Sequence, residues 1–194
     1  TNLIKYNIKS NDVIGATITK GDSVGDIHAF CTALSTHMLS SKEYNYSFRI
    51  NKIVRNENEV FWSNPRDMAI SIETLKKDYD EVIVCAGAYT KAFLPHLNIY
   101  PIKGYSITYK NAYEAPTISV LDDDRKIVAS PFGNNVFRVA GTAELAGWNH
   151  DIREDRIKPL ADWVKENTFV NKDDYEKWSC LRPMTPNMLP VVGK

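Results

Sequence analysis

Three short segments combine residue types that could do chemistry. The first is DEVIVCAGAYT (80–90). An apolar run of strand length ends there at Ala86-Gly87-Ala88, and Gly87 has no side chain to hold a ligand or cofactor off the backbone. The alternative is a plain tight turn after a core strand. The second is PIKGYSIT (101–108). A glycine inside a strand marks a bulge or a close backbone approach, and Lys103 and Tyr105 would share one face. The alternative is an edge strand with a solvated lysine. The third is WSCLRPMTPNMLPVVG (178–193). It holds one arginine, Arg182, in an apolar stretch stiffened by Pro183, Pro186 and Pro190. An arginine so placed either pairs with a structural Asp or Glu or receives a ligand carboxylate, and the residues alone leave both open.

Other reactive side chains point away from metal and disulfide chemistry. His28, His37, His96 and His150 have no ligand spacing, and no metal site is expected. Cys31, Cys85 and Cys180 are odd in number and far apart, which gives neither a disulfide frame nor a zinc site and suits a reducing compartment. Cys31 on a helix and Cys85 in a buried strand read as core cysteines. Asp122-Asp123-Asp124 reads as a solvated turn, since a calcium loop needs more oxygen ligands at regular spacing.

These segments sit in a chain of 194 residues, enough for one large domain or two small ones. Lys plus Arg and Asp plus Glu are both 24, so there is no basic groove for nucleic acid and no polybasic or acidic tail. A hydrophobic content of 43% with 11% aromatics excludes disorder. No apolar run approaches the roughly 20 residues of a transmembrane segment. No signal peptide is read, and the start at Thr1 and the stop at Lys194 lead us to expect an interior piece of a longer protein.

The elements that would position the three segments follow from periodicity. Ile27, Phe30, Leu34 and Met38 recur at helical steps, predicting an amphipathic helix over 26–39 capped by Ser23 or Asp26. Residues 48–55, 59–63 and 68–72 read as short strands. The run 81–86 reads as a strand buried on both faces, as in a central parallel sheet, with a short helix over 88–94. From Tyr100 the pattern alternates, predicting an antiparallel sheet from strands 100–109, 117–121, 127–131 and 136–141. Ile157, Leu160, Ala161 and Val164 predict one helix over 153–168 packed on that sheet. Residues 178–194 show no period.

Several quoted stretches together resemble the FAD-dependent D-amino acid dehydrogenase family, in the wider group of glycine oxidase and D-amino acid oxidase. They are KGYSIT (103–108), the hairpins over 121–139, GTAELAGW (141–148), LRPMTP (181–186) with PVVG (190–193), and the GDSVGD (21–26) entry to a helix. The likeness runs from about Gly21 to Lys194. Cys180 and Asn187 depart from the family's usual Gly and Asp, residues 51–77 match poorly, and no G-x-G-x-x-G loop occurs in the chain.

The resemblance implies an α+β fold: an antiparallel-sheet substrate domain of the D-amino acid oxidase type beside interior parts of an α/β FAD-binding domain. Residues 1–98 would be a partial FAD-binding domain, 99–175 the substrate-binding domain and 176–194 a return segment. The implied activity is oxidation of a D-amino acid to a 2-oxo acid and ammonia with FAD as cofactor, which the isolated chain is not expected to hold. By resemblance Arg182 binds the substrate carboxylate, and Tyr105, Met184 and Thr185 line the substrate pocket. Ala86, Gly87, Val54 and Pro186 would contact the cofactor, Val54 at its adenosine half and Pro186 by the flavin ring. Arg182 is expected to face a pocket bordered by 103–108. No residue is assigned a catalytic role. The partner is a small amino acid, with no nucleic acid, and the location is cytoplasmic or peripheral on the inner membrane face. Two alternatives stay open: a non-catalytic remnant keeping only the substrate-domain fold, and a piece of a glycine or sarcosine oxidase-like enzyme.

Overall fold

The computed structural model describes residues 3–9, 13–43, 45–48, 53–55 and 69–193. Its helices are α1 (Ile27–Ser40), α2 (Ile72–Asp78) and α3 (Glu154–Asn167). Its strands are β1 (Ile53–Arg55), β2 (Ala69–Ser71), β3 (Tyr100–Tyr109), β4 (Val120–Asp122), β5 (Ile127–Phe132), β6 (Val136–Glu144) and β7 (Glu176–Met184). The chain divides into two compact units, Thr1–Phe30 with Ile102–Leu181, and Cys31–Pro101 with Arg182–Lys194.

The first unit is a five-stranded sheet in the order β4-β5-β6-β3-β7. The pairs β4·β5, β5·β6 and β3·β6 are antiparallel, as the alternation predicts. Alternation decides the faces. Ile107, Tyr109, Ile127, Ala129, Phe137 and Val139 are buried together, and Ile157, Leu160, Ala161 and Val164 of α3 close over them as one stripe at helical spacing. Turn chemistry joins the strands. Asp122 accepts the Arg125 backbone N–H at 3.0 Å, holding the β4–β5 turn. Asn134 and Asn135 take positive φ between β5 and β6, a conformation Asn tolerates. Asp122 also accepts the Trp163 indole N–H at 2.8 Å, tying α3 to the end of β4. Burial raises the Asp122 pKa, but the Arg125 and Trp163 hydrogen bonds win and hold it low. This aspartate is therefore structural and not merely a solvated turn residue.

The second unit has less packing. Strands β1 and β2 pair in parallel, Val54 opposite Ile70. Ser71 caps α2 by accepting the Glu73 N–H at 3.2 Å, a helix absent from the periodicity reading. Helix α1 forms where predicted, its first turn capped by Asp26, which accepts the Ala29 N–H at 3.0 Å. None of its described side chains is buried, however, and Cys31 is exposed. The expected strand over 81–86 does not form, and Cys85 is exposed rather than in the core. A central strand needs neighbours to satisfy its N–H and C=O groups, and no described strand lies beside this run. The short helix after it is a 3-10 turn at Gly87–Ala92. The expected strand over 59–63 and residues 49–52 lie outside the described residues. Residues 178–194 were read without a period, yet Glu176–Met184 form β7.

Two positions in the sheet core carry measurable consequences. A Cβ on Gly141 would stand 3.0 Å from Ile127 Cγ1 and 3.1 Å from both Leu160 Cδ2 and the Lys126 carbonyl. Gly141→Ala therefore overpacks the α3–sheet contact and is expected to cost about 1–3 kcal/mol by thermal or urea unfolding. Tyr109 is fully buried, and its hydroxyl has no hydrogen-bond partner among the described residues. Tyr109→Phe removes a desolvated group while keeping the ring against Phe137 and Tyr175. It is expected to leave stability unchanged or raise it by about 1 kcal/mol; a lowered Tm would show that the hydroxyl is satisfied.

Candidate functional site

The densest group of ionisable side chains lies where β3 and β6 meet α3. Lys103 and Glu144 are direct cross-strand partners, so their side chains share a face. The register then shifts at Gly104/Tyr105, with Gly104 opposite Ala143 and Tyr105 opposite Gly141. Thr142 is the extra residue, at φ +50°, an uncommon conformation for a β-branched residue. Its hydroxyl donates to the Arg156 carbonyl at 3.1 Å, which ties the bulge to α3. The glycine-marked bulge expected from the sequence is thus present. The solvated-lysine alternative is overturned: β3 is interior, and Lys103 is 0% exposed.

Burial obliges that ammonium to find acceptors. Lys103 Nζ donates to Asn149 Oδ1 at 2.7 Å and to the Asp151 carbonyl, and it lies 3.3 Å from Glu144 Oε1. The Tyr105 hydroxyl donates to the same Glu144 oxygen at 2.6 Å. Arg153 Nη1 reaches Glu144 Oε2 at 3.2 Å, and Arg156 Nε lies 3.4 Å from it, an ion-pair approach without hydrogen-bond geometry. The Tyr105 hydrogen bond, opposed by burial and helped by Lys103 and Arg153, holds the Glu144 pKa below its ordinary 4.5. Burial works to lower the Lys103 pKa, but Tyr105 and Glu144 outweigh it and the value lies above 10.5. Burial and the Glu144 carboxylate raise Tyr105 above 10.0. At neutral pH the cluster holds one carboxylate under three cations and a neutral phenol.

An open cleft of about 460 Å³ lies against this cluster, lined by Ile102, Ala143, Glu144, Leu145, Arg153 and Arg156. None of the substrate- or cofactor-binding residues expected from the sequence lines it, although Ile102 and 143–145 belong to two of the quoted segments; Tyr105 touches it only through Glu144. Arg182 lies in β7, exposed, and pairs with no carboxylate among the described residues. Met184 and Thr185 are half-buried, and the Thr185 hydroxyl donates to the Leu189 carbonyl at 2.8 Å. Pro186 is exposed in the turn that follows. Ala86 is half-buried at the start of the 3-10 turn. Gly87 has φ +57°, and a Cβ there would meet nothing within 4 Å, so its backbone is open to close approach. Sequence reasoning missed Glu144, Arg153 and Arg156. A buried lysine demands an acid, and GTAELAGW (141–148) supplies one, so the signal was available once Lys103 was read as buried.

The cluster sets a pH window. Glu144 has a lowered folded pKa, so its contribution is present above 4.5 and is lost as pH falls through the folded value. Lys103 and Tyr105 have raised folded pKa values, so theirs are present below about 10 and are lost as pH rises through the folded values. The cluster's contribution to Tm is therefore expected to be flat between about pH 5 and pH 10 and to fall on both sides. Glu144→Gln should lower Tm on the plateau, because it leaves Lys103 buried without an anion, and should flatten the acid limb. Adding Lys103→Met should restore part of the loss. An acid limb unchanged in Glu144→Gln would assign it to other carboxylates.

Comparison with known proteins gives this geometry a family. Residues 7–194 match the model of the family described as FAD dependent oxidoreductase. The chain is similar to D-amino acid dehydrogenase 3 of Mesorhizobium japonicum, 39% identical over 193 residues, covering 93% of this chain and 45% of that protein. It is also similar to D-amino acid dehydrogenase of Vibrio atlanticus, 33% identical over 194 residues, covering 94% of this chain and 44% of that protein. The chain thus spans less than half the length of these relatives. Among solved structures, a glycine oxidase from Bacillus cereus superposes with a TM-score of 0.51 at 16% identity, over 59% of this chain and 33% of that one, which is a likeness of fold. Among the described residues no helix is long and apolar enough to cross a membrane, and no His, Cys, Asp and Glu cluster could hold a metal ion. With a family model matched from residue 7 to the end, the chain belongs to the D-amino acid oxidase-type family of FAD-dependent oxidoreductases.

Proposed function

We infer that this chain forms the substrate-binding part, with adjoining flavin-contacting residues, of a dehydrogenase that oxidises D-amino acids. The observation that carries the reading is the 39% identity, along 93% of the chain, to a protein named D-amino acid dehydrogenase. In this reading residues 99–175 serve the substrate and 1–98 with 176–194 serve the flavin domain. A cytoplasmic location, peripheral on the inner membrane face, goes with it.

FAD, when bound, supplies the hydride acceptor for the substrate Cα, and water then hydrolyses the resulting imino acid to a 2-oxo acid and ammonia. The chain's own residues bind and orient. Arg182 holds the substrate carboxylate through two parallel N–H···O bonds, a geometry that lysine cannot reproduce. Its exposure and its lack of an acid partner among the described residues support that role. Met184 and Thr185 serve substrate binding beside Arg182 in the second unit, and Tyr105 serves it in the first through its hold on Glu144. Ala86 and Gly87 meet the cofactor with bare backbone, which suits the positive φ and open surroundings of Gly87. Pro186 would lie by the flavin ring and Val54 near the adenosine half.

In the enzyme containing this chain, Arg182→Lys is expected to raise KM and lower kcat/KM about a hundredfold, the loss of about 2–3 kcal/mol of charge-assisted hydrogen bonding. Arg182→Ala should lose more, and Tm should stay unchanged in both. Unchanged kcat/KM with a lowered Tm would make Arg182 a structural ion-pair residue and remove the assignment.

A further inference from the structure

Glu144 is approached by more cations than it can serve. Its oxygens already take the Tyr105 hydroxyl and Arg153 Nη1, with Lys103 Nζ close by. Arg156 is the cation left over. Its Nε is shut off from solvent and lies 3.4 Å from Glu144 Oε2, yet it has no hydrogen-bond partner among the described residues. Neither of its Nη atoms donates to a described residue. A guanidinium has five N–H donors, and those of Arg156 are all unspent there.

The backbone that carries this side chain is nevertheless fixed. The Arg156 N–H donates to the Arg153 carbonyl at 3.1 Å in the first turn of α3, and the Arg156 carbonyl accepts the Thr142 hydroxyl at 3.1 Å. The two ties hold it against the bulge in β6, and its half-buried side chain lines the cleft with Ile102, Ala143, Glu144, Leu145 and Arg153. Arg153 stands beside it, since both guanidiniums approach the same oxygen, Glu144 Oε2. Asp155 takes Arg153 Nε and Nη2, and Glu144 takes Nη1, which leaves a second hydrogen on each Nη. The charges pair off as Lys103 with Glu144 and Arg153 with Asp155, so Arg156 is the unbalanced cation of the cleft.

Two adjacent guanidiniums with free donors suit a tetrahedral oxyanion. A phosphate offers three acceptor oxygens and can engage both at once, whereas a carboxylate offers two and is served by one guanidinium. The rest of the lining is apolar: Ile102 and Ala143, with Leu145 exposed beside them.

We propose that the cleft between the end of β6 and the first turn of α3 binds the phosphate group of a small phosphomonoester. Arg156 and Arg153 hold the phosphate, and the organic body lies against Ile102 and Leu145. The site uses none of the residues assigned to substrate or flavin and does not rest on the activity proposed above.

The test is a titration of the 15N-labelled protein with phenyl phosphate at constant ionic strength, following the Nε–H signals of Arg153 and Arg156 by NMR. Inorganic phosphate, benzoate and phenol are the parallel arms. Saturable shifts at both signals are expected with phenyl phosphate, with a dissociation constant on the order of millimolar for so small a ligand. Inorganic phosphate should bind about tenfold more weakly, for want of an apolar body to bury. Benzoate should bind several-fold more weakly, and phenol should give no shifts. Arg156→Gln, read at the Arg153 signal, should weaken binding at least about tenfold. Arg156→Lys, which keeps the charge and loses the fork, should weaken it about fivefold. Arg182→Ala should leave it intact. Absence of saturable shifts, equal affinity for benzoate or inorganic phosphate, unchanged affinity in Arg156→Gln, or loss of the response in Arg182→Ala would each overturn the assignment. If Arg156→Gln does not fold, Arg156→Lys decides: unchanged affinity there overturns the proposal as well. Dehydrogenase activity plays no part in the readout, so the two proposals fail independently.

Discussion

A fully buried ammonium is the constraint around which the end of the sheet is arranged. Lys103 is shut off from bulk solvent, so its donors must meet acceptors from the protein. Those acceptors come from Glu144 at the end of β6 and from Asn149 and Asp151 in the connection to α3. Asn149 Oδ1 also accepts the Asp151 N–H at 2.9 Å, so the connection is folded upon itself where the lysine needs it. One side chain thereby fixes where β6 stops, how the chain turns and where α3 begins. The bulge at Thr142 belongs to the same arrangement, since it keeps Lys103, Tyr105 and Glu144 together while its hydroxyl holds the first turn of α3.

Stability and register have different sources here. A buried ion pair gains little over well-packed apolar residues, because desolvation consumes most of the Coulomb energy. The gain comes from the stripe of Ile157, Leu160, Ala161 and Val164 against β3, β5 and β6. An apolar stripe is tolerant of sliding, however, and a helix one turn out of place could still bury much of it. The polar ties are not tolerant. Trp163 bound to Asp122 at the far end, and Glu144 bound to Arg153 at the near end, allow one axial position.

What could be read from the sequence follows from which interactions are local. Strands β3, β5 and β6 and helix α3 were legible because each buries one face, and a one-faced element writes its period into the chain. The bulge was legible because glycine inside a strand has few other uses. Helix α2 was not, because its capping serine and its Glu73–Lys76 pair are local polar signals that an apolar pattern does not show. Strand β7 was hidden by its one proline, Pro183, and by largely exposed positions that leave no alternation. The run 81–86 misled for the opposite reason. Apolar continuity states what a segment requires, namely neighbours on both sides, and among the described residues it has none. Cys85 and Cys31 followed their elements to the surface. For the ionic cluster, Lys103 was in view and its burial was not, since only the position of β3 between β6 and β7 makes it interior.

Charge balance sets off the two arginines, Arg138 and Arg182, that meet no acid among the described residues. With 24 basic and 24 acidic side chains, the chain does not lack carboxylates. Exposed lysines and arginines of the first unit find them readily, as Lys110 does with Glu176, Lys165 with Asp173 and Lys177 with Glu154. Such surface pairs contribute little energy, so nothing strong selects for them. A guanidinium held in place with no acid partner among the described residues is a different matter. Arg138 forgoes rotamer freedom to lie between Ser106 and Trp178, and Arg182 is set in backbone stiffened by Pro183 and Pro186. Ordering a cation while leaving it uncompensated costs stability, and a protein that balances its charges elsewhere could remove that cost with one aspartate. An added carboxylate would satisfy the arginine and also occupy the edge it presents.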